Sequence, residues 1–555
     1  MIRGKLLAVV AIIVIVVAVV AAYAVLNLMP QACELELVSY KFTAYSSGWR
    51  FERAIEVTLK NVGENNATIS SIKVNDKDVY TWNPRWIVIH PGEIKTIYIF
   101  YPWKGEECNI KIETNVGVLE FKDKSPSFKG YDVYISNPYS FKVDEIYSIN
   151  LHFADGECKA NEIKVVDENG NEVLSQVWGI LKYDSGYIKT ATVSFKIEIE
   201  AYGARQYSIL IGEQPTATGG KIDIYVERVE GSYTIVDNGV LRIRFNETGR
   251  WHGCIDYFGS KDVNFAKIFY PKGAHPPEGL AFYHGLLDSM LDSEGKMYAV
   301  IQKTDIYIES EGPLLYVYTR KWKLKLLGYA YEFYAIPKGK SYIVYKFAMD
   351  VSREFGVGPG AGKPAPSEPD YRYYNPHGVG GMSIPHLSVV TGVAGLDAPY
   401  FLLDTGDIYD PLYPGIDIWV MHPVAACRDY DLGVGISILC NDPTHPIWYW
   451  HITTQKFPWF EWGASAESLR DDPAGDLSSI SGVDINMLCY HGQDPSREPY
   501  ALETEVVPRG GVLFREGYYS WVFVVRAMIH EDVLSTLKTM KDMYLGLEVS
   551  VNYRS

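Results

Sequence analysis

A short stretch of the chain collects side chains that could move protons on a substrate. It follows a run rich in Gly and Pro, Gly358–Pro366, so we expect it on or beside a long loop, where sites are often built. The candidate catalytic residues are Arg372, Tyr374, Asn375 and His377. A guanidinium or imidazole can neutralise a substrate carboxylate, and tyrosine or histidine can then act as base and acid. The alternative is a tyrosine-rich loop that packs on a sheet.

A second constellation places tryptophans beside titratable side chains. The tryptophans are Trp448, Trp450, Trp459 and Trp462. Because aromatic rings stack on the apolar faces of sugar rings, these residues are candidate substrate-binding platforms. His451 and Glu461 are candidate acid or base groups in the same stretch. The alternative is that these aromatic side chains fill the core between two large sheets.

A third cluster, formed by Asp404, Asp407 and Asp410, offers oxygen ligands of the kind that Ca²⁺ prefers. Its spacing is not that of an EF-hand, and a solvated turn is the favoured interpretation. The sequence contains no C-x-x-C pair and no H-x3-H pair, so it predicts no zinc site. We therefore expect no cofactor, with Ca²⁺ as the one metal to consider.

The N-terminal 30 residues decide the expected compartment. Leu6–Leu26 carries no charge and has the length of a membrane-spanning helix. Arg3 and Lys5 precede it, which predicts a cytoplasmic N-terminus and an extracellular bulk in a single-pass protein of the cell membrane. The alternative is a signal peptide cleaved after Ala22-Tyr23-Ala24. Two sequons permit glycosylation of the exported chain, Asn66-Ala67-Thr68 and Asn246-Glu247-Thr248.

Composition limits the class of protein. The 555 residues include 52 Lys and Arg against 68 Asp and Glu, a formal charge of −16, which disfavours nucleic acid as a partner. Aromatic residues make up 14% of the chain, with 42 tyrosines, and residues of this kind favour strands. The predicted fold is therefore mostly β, and the length suits several domains.

Patterning divides the chain after the anchor or signal at residues 1–30. Residues 31–125 alternate with period two, as in Ile55–Leu59, and are predicted to form a β-sandwich. Residues 126–228 form a second small β-sandwich domain, with a hairpin turn at Asn169-Gly170. Residues 229–555 contain the aromatic-rich strands, and their pattern changes to a helical stripe over His530–Tyr544.

Two resemblances follow from these patterns. Residues 31–125 resemble the Ig-like modules that are common just outside the membrane in archaeal surface proteins. Residues 229–555 resemble the galactose-mutarotase-like β-supersandwich of carbohydrate-active proteins. The second resemblance rests on Asn238–Phe245, Glu311–Tyr318, the Tyr331–Tyr334 and Tyr342–Tyr345 pair, and Trp521–Arg526 with its following helix. The block at 126–228 is similar to the small β-domain that precedes this fold in polysaccharide lyases.

The resemblance implies a cell-surface protein that binds or acts on a polysaccharide, with polysaccharide lyase as the leading hypothesis. One alternative is a non-catalytic sugar-binding or envelope structural protein, and another is a mutarotase-like isomerase or glycoside hydrolase. The motifs that carry the resemblance are patterns of strands and turns, so they are more specific for architecture than for activity. The expected partners are a glycan and, through the N-terminal helix, the membrane.

Overall fold

In the residues that a computed structural model describes, the chain is built almost entirely of β-strands, which confirms the prediction that the fold is mostly β. The structure describes residues 34–47, 49–79, 82–84, 87–216, 219–248, 254–262, 282–283, 290–291, 297–298, 301–324, 328–352, 355–357, 386–391, 400–403, 408–409, 416–420, 424–429, 434–440, 450–456, 481–487, 506–507, 511–514, 516–529, 532–544 and 546–555. The predicted membrane segment Leu6–Leu26 lies outside these residues. Among the described residues, no helix has the length and apolarity needed to cross a bilayer.

The first compact unit, unit 1, comprises Met1–Phe42, Ile55–Tyr101 and Gly105–Ser125. Its strands are β1 (Leu35–Ser47) and β2 (Arg50–Asn61), which both continue into unit 2, and β3 (Ala67–Val74), β4 (Lys77–Asp78), β5 (Trp82–Asn83), β6 (Val88–Ile89), β7 (Ile94–Phe100), β8 (Glu107–Thr114) and β9 (Gly117–Lys124). Strand β8 pairs antiparallel with β3 and β9, and β7 lies between β2 and β5. Alternate residues of β8 are buried, which confirms the period-two pattern. The Ig-like assignment stays a prediction.

Unit 2 comprises Thr43–Ala54, Pro102–Lys104 and Pro126–Ser555. Its first strands belong to two sheets. One has the order β13-β14-β11 and continues through the parallel pairing of Asn150 and Leu151 with Arg50 and Phe51 of β2, and the other has the order β12-β15-β10-β39. The strands are β10 (Gly130–Ser136), β11 (Val143–His152), β12 (Ile163–Asp167), β13 (Ser175–Lys182), β14 (Ile188–Ile199), β15 (Ala204–Ile211) and β39 (Glu548–Arg554). The last strand of the chain thus pairs with β10, more than 400 residues earlier, at a register that joins Gly130 to Arg554.

The predicted hairpin at Asn169-Gly170 is a turn, with the backbone N–H of Gly170 donating to Asp167 at 3.0 Å. The bridge between Val166 and Glu172 and the backbone hydrogen bond from Val173 to Val165, at 2.9 Å, continue it for a short distance. The chain then leaves for β13, while β12 pairs with β15. Gly170 has a φ of 79°, which suits glycine at a tight turn. The proposed boundary at residue 228 stays a prediction.

A nine-stranded antiparallel sheet dominates the rest of unit 2, with the order β23-β24-β25-β26-β38-β33-β32-β29-β30. Its strands are β23 (Ile301–Glu311), β24 (Leu315–Leu324), β25 (Gly328–Pro337), β26 (Tyr342–Val351), β29 (Tyr400–Leu403), β30 (Ile408–Tyr409), β32 (Val424–Asp429), β33 (Val434–Cys440) and β38 (Gly517–Ile529). The helix α1 (Val533–Tyr544) follows β38, which confirms the helix predicted there.

Smaller sheets complete the described part of unit 2, with the orders β16-β17-β18-β19, β20-β28-β35-β34-β31, β27-β37-β36 and β21-β22. Their strands are β16 (Tyr225–Val229), β17 (Tyr233–Asp237), β18 (Arg242–Asn246), β19 (Cys254–Gly259), β20 (Phe282–Tyr283), β21 (Met290–Leu291), β22 (Met297–Tyr298), β27 (Phe355–Val357), β28 (His386–Thr391), β31 (Ile416–Val420), β34 (Trp450–Lys456), β35 (Ser481–Met487), β36 (Val506–Val507) and β37 (Gly511–Phe514).

One face of the nine-stranded sheet packs on the sheet β13-β14-β11. Val317, Phe333 and Val344 are buried in one cluster with Trp178 and Phe195. The rings of Trp178 and Phe333 meet edge to face, with centroids 6.5 Å apart. Each large apolar side chain buried in this way contributes about 1.5–3 kcal/mol, so this layer holds the larger sheet in place.

Candidate functional site

The five-stranded sheet β20-β28-β35-β34-β31 brings together residues that lie far apart in the sequence. Its antiparallel register forms a continuous row across all five strands. The row consists of Tyr283, His386, Asn486, His451 and Trp419. Residues directly opposite one another in neighbouring strands have Cα atoms about 4.5–5.5 Å apart. The two histidines therefore lie at equal register on the two sides of Asn486.

A second row lies two residues along each strand, and so on the same face of the sheet. It consists of Ser388, Asp484, Thr453 and Asp417. We call the face that carries these two rows the polar face. Together the rows hold two imidazoles, two carboxylates, an amide and two hydroxyls between two aromatic residues, a set that suits hydrogen bonding and proton transfer.

The opposite face of this sheet is more apolar at the level of these two rows. One of its rows consists of Phe282, Leu387, Ile485, Ile452 and Ile418. An antiparallel sheet that is apolar on one face and polar on the other is typical of a sheet packed on a core on one side only. The alternation in each strand therefore assigns the chemistry-bearing residues to a single face.

The nine-stranded sheet contains a buried ionic network. Arg320 Nε donates to Glu332 Oε2 at 2.5 Å, and the Tyr345 hydroxyl donates to Glu332 Oε1 at 2.9 Å. Burial raises the pKa of Glu332, while the neighbouring guanidinium acts in the opposite direction. Removing either partner of a buried ion pair strongly destabilises a protein, because the other charge is then left unpaired in the core.

The sheet β16-β17-β18-β19 packs on the same face of the nine-stranded sheet as this network. The rings of Phe245 and Tyr318 stack with centroids 3.8 Å apart. Glu247 is buried beside them and accepts from the Thr234 hydroxyl at 2.6 Å and from the Tyr318 hydroxyl at 3.4 Å. Burial raises the pKa of Tyr318, so this hydroxyl remains protonated. The network lies in the protein interior, and its polar groups are hydrogen-bonded to one another.

The side-chain amide of Gln176 joins β13 to the nine-stranded sheet. Gln176 Nε2 donates to Ser310 Oγ at 2.8 Å and to the carbonyl of Leu315 at 3.0 Å. Its Oε1 accepts from the backbone N–H groups of Leu314 and Leu315 at 3.1 and 2.8 Å. Because every polar atom of the amide has a partner, the link is stable although it is buried.

A buried carboxylate and a buried lysine form a second link between the same two sheets. Glu309 accepts from the backbone N–H groups of Gly179 and Ile180 at 2.7 Å each, and burial raises its pKa. Lys346 donates to the Gly179 carbonyl and to Thr192 Oγ1, both at 3.0 Å. These links join β23 and β26 of the nine-stranded sheet to β13 and β14.

Most of the residues singled out from the sequence lie outside the described residues. They are Arg372, Tyr374, Asn375, His377, Trp448, Trp459, Glu461 and Trp462, together with the acidic positions Asp404, Asp407 and Asp410. Trp450 and His451 both lie in β34, where successive residues belong to opposite faces. The register places His451 in the first polar row and Trp450 opposite Met487 and Val420 on the apolar face.

Sequence reasoning missed Asn486, Trp419, Asp417 and Asp484. Their signal was the alternation of Ile416–Val420 and Val483–Met487, in which an acid, a tryptophan or an amide stands between aliphatic residues or methionine. His386 follows the Arg372–His377 stretch in the sequence and belongs to no motif of its own. Nothing in the local pattern shows that these strands are neighbours, so the rows could not be assembled from it.

Among the side chains that the structure describes, no group of three or more His, Cys, Asp or Glu residues is placed to hold a metal ion. The thiols of Cys108 and Cys158 are free and buried. Burial raises the pKa of Cys108 to about 11 and that of Cys158 to about 12, so both thiols are protonated and unreactive at neutral pH.

No protein-family model matches the sequence, and no curated protein matches it either. In structure, the chain is similar to an α-mannosidase from Enterococcus faecalis, with a TM-score of 0.35 and 7% identity over 77% of this chain and 46% of that one. It is also similar to a protein of glycosyl hydrolase family 38 from the same species, with a TM-score of 0.34 and 8% identity over 76% of this chain and 47% of that one. A galactose mutarotase-like protein from Lactobacillus casei aligns with a TM-score of 0.29 and 10% identity, over 54% of this chain and all of its own. The chain thus spans less than half of each Enterococcus protein.

Proposed function

We propose that this chain is a carbohydrate-active protein that binds a polysaccharide on the polar face and cleaves it as a polysaccharide lyase. The observation that supports the proposal is the row in which Asn486 lies between His386 and His451. An amide and an imidazolium can hold a uronate carboxylate, and two histidines can supply a base and an acid. The aromatic residues at the two ends of the row are suited to sugar rings.

The proposed reaction is a β-elimination. The base removes the proton from C5 of the uronate, and the electron pair left on C5 forms the C4–C5 double bond. The glycosidic bond at C4 then breaks, and the departing oxygen takes a proton from the acid. We assign the base and the acid to His386 and His451, and the carboxylate contact to Asn486. Arg372 and its neighbours Tyr374, Asn375 and His377 are proposed to contribute the cation and further proton-transfer groups.

A glycoside hydrolase or mutarotase-like isomerase is the second candidate, and one observation favours it. Asp417 and Asp484 occupy the same row, on strands separated only by β34, so their backbones lie about 10 Å apart. Paired carboxylates are the usual catalytic groups of glycoside hydrolysis. The described residues of the polar face include these two acids and no lysine or arginine, which suits a neutral sugar better than a uronate.

We further propose that residues 1–30 hold the protein at the cell membrane and that the rest of the chain is extracellular. The apolar, uncharged segment Leu6–Leu26, preceded by Arg3 and Lys5, supports this placement. The substrate-binding surface is proposed to extend beyond the described strands to Trp448, Trp459, Glu461 and Trp462. Their contribution is tested by the same assays as the two rows.

The experiment uses the full-length chain in detergent with pectate, alginate and hyaluronan as uronate polymers and xylan and mannan as neutral ones. A lyase produces new chain ends together with the ultraviolet absorbance of the unsaturated product. New reducing ends without that absorbance indicate a hydrolase, and anomerisation of a free sugar followed by NMR indicates an isomerase. Retention without reaction identifies a binding protein, and neither retention nor reaction on a broad panel rejects the proposed function.

The variants His451→Ala and Asn486→Ala test the row itself. Loss of a catalytic acid or base lowers kcat by about 100-fold or more. His90→Ala is the matched control, because His90 is exposed in unit 1 and contacts Asn66 at 3.0 Å. Equal activity of all three variants and the parent would remove the polar face from consideration.

A further inference from the structure

We propose that the polar face binds an extended oligosaccharide segment that runs across the strands, with Tyr283 and Trp419 at its two ends and the reacting sugar at its middle. This inference rests on the proposed function and specifies the substrate as the interior of a polymer. It follows from the register of the five strands, which come from separate parts of the sequence and pair in the order β20-β28-β35-β34-β31.

The first polar row is long compared with a single sugar. Tyr283 lies on β20 and Trp419 on β31, the two outer strands of the sheet. Four inter-strand steps of about 4.8 Å separate them, so the row extends about 19 Å. A monosaccharide fills only a fraction of this length, whereas an oligosaccharide of several units matches it.

The residue types are arranged along the row in a way that suits such a segment. The two aromatic residues occupy the ends, where stacking on sugar rings needs no particular substituent. The two histidines and Asn486 occupy the three inner positions. A binding site for one sugar would be expected to combine aromatic and polar groups at the same point.

The second polar row runs parallel to the first and supports the same direction of binding. Its members Ser388, Asp484, Thr453 and Asp417 are all small or acidic polar residues. Hydroxyl and carboxylate oxygens accept hydrogen bonds from sugar hydroxyls, and a row of them offers a partner to successive sugars. An aligned segment can therefore satisfy both rows at once.

The position of the histidines along the row has a consequence for the products. Because His386 and His451 flank the central strand β35, the bond that reacts has bound sugars on both sides. The enzyme therefore cleaves inside a polymer, and its first products are oligosaccharides. An enzyme that removed one terminal sugar at a time would need a row closed at one end beside the histidines.

The test measures affinity and turnover against chain length, with the full-length protein in detergent. The probes are size-fractionated ladders of one to six sugars prepared from pectate and from xylan. We expect affinity to rise at least tenfold between the disaccharide and the members that span the row, and then to level off. Size analysis of early digests of the polymer should show oligosaccharides before monomers.

The variants Tyr283→Ala and Trp419→Ala separate the ends of the row from its centre. Each should weaken binding of the long ladder members by about tenfold and leave the disaccharide unaffected, because the loss is that of one aromatic contact. Trp419→Phe should retain most of the binding, which guards against a folding defect in the alanine variant. Tyr202→Ala is the matched control, since Tyr202 is 74% exposed and lies outside this sheet.

Three outcomes overturn the inference in whole or in part. Affinity that does not depend on length, with normal turnover, rejects the extended segment and leaves the proposed function standing. Equal loss for all ladder members in Trp419→Ala and Tyr283→Ala rejects the assignment of these residues to the ends. Failure of every ladder member and every polymer to bind rejects both the inference and the function on which it rests.

Discussion

Arg320 and Glu332 lie directly opposite each other on β24 and β25, and each side chain is only 2% exposed. The contact from Arg320 Nε to Glu332 Oε2, at 2.5 Å, places a full ion pair inside the nine-stranded sheet. Both charges have lost their water, so the stability of this layer depends on keeping them together. Substitution of either residue therefore tests how much this ion pair contributes to the stability of the nine-stranded sheet.

Replacing Arg320 with methionine should destabilise unit 2 by about 3–5 kcal/mol, because Glu332 would be left buried without its cation. The double variant with Glu332→Gln should recover most of this loss, since Gln can still accept from Tyr345. Chemical denaturation of the parent and the two variants measures the difference. A single variant as stable as the parent would show that the pair is solvated.

The same single variant should show a characteristic pH dependence. The pKa of Glu332 is already raised by burial, and removal of Arg320 raises it further. A buried carboxyl group with a raised pKa is tolerated in the folded protein when it is protonated. The free energy of unfolding therefore decreases as the pH rises above the pKa that this group has in the unfolded chain. We expect the defect of Arg320→Met to be smaller near pH 4.5 than near pH 8.

His152 should make unit 2 sensitive to acid. Burial, together with the nearby cations Arg50, Lys189 and Arg53, lowers its pKa to about 3. Because the unfolded chain takes up the proton at higher pH, stability is complete above pH 6.5 and falls as pH decreases towards 3. The slope from this group is at most about 1.4 kcal/mol per pH unit.

The variant His152→Gln tests this expectation by denaturation at pH values between 7 and 4. It should flatten the decline in the free energy of unfolding relative to the parent. His90→Ala, at an exposed position, serves as the control and should leave the slope unchanged. An unchanged slope in His152→Gln would assign the acid sensitivity to other groups.

Trp450 and His451 are neighbours in sequence but belong to opposite faces of β34. Trp450→Ala should lower stability by about 3–5 kcal/mol, as expected for a large residue on an apolar face. His451→Ala should leave the melting temperature near that of the parent and abolish turnover. Melting curves and polysaccharide retention on an affinity gel measure the two effects, and a Trp450→Ala protein that melts normally but loses retention would place Trp450 in the binding surface.

The proposed membrane topology predicts that protease added to intact cells digests the chain beyond residue 30. The reason is the charge asymmetry at the N-terminus, where Arg3 and Lys5 precede the apolar segment. Immunoblotting with an antibody against the C-terminal strand follows the digestion, and lysed cells give the reference. Protection of the bulk of the chain in intact cells would contradict export.

Several elements could be predicted from local sequence because their cause is local. The tyrosine-rich strands β25 and β26 owe their form to β-favouring side chains, and the Asn169-Gly170 turn to the backbone freedom of glycine. The helix α1 follows from its own 3.6-residue stripe, with Met540 and Tyr544 buried one turn apart. Each of these signals is contained within a few neighbouring residues.

The sequence by itself therefore determined that the chain is mostly β, where many of its strands and turns lie, and that four tryptophans lie within a few residues of His451 and Glu461. Only the tertiary structure decided that β39 completes the sheet of β10, and that His386, Asn486 and His451 stand in one row. Strand pairing depends on complementary faces and on register between segments separated by tens to hundreds of residues. A shift of one residue would move every side chain of a strand to the other face, so the local alternation fixes the face. A shift of two residues keeps the face, and no local pattern records which of these registers, or which partner strand, is chosen.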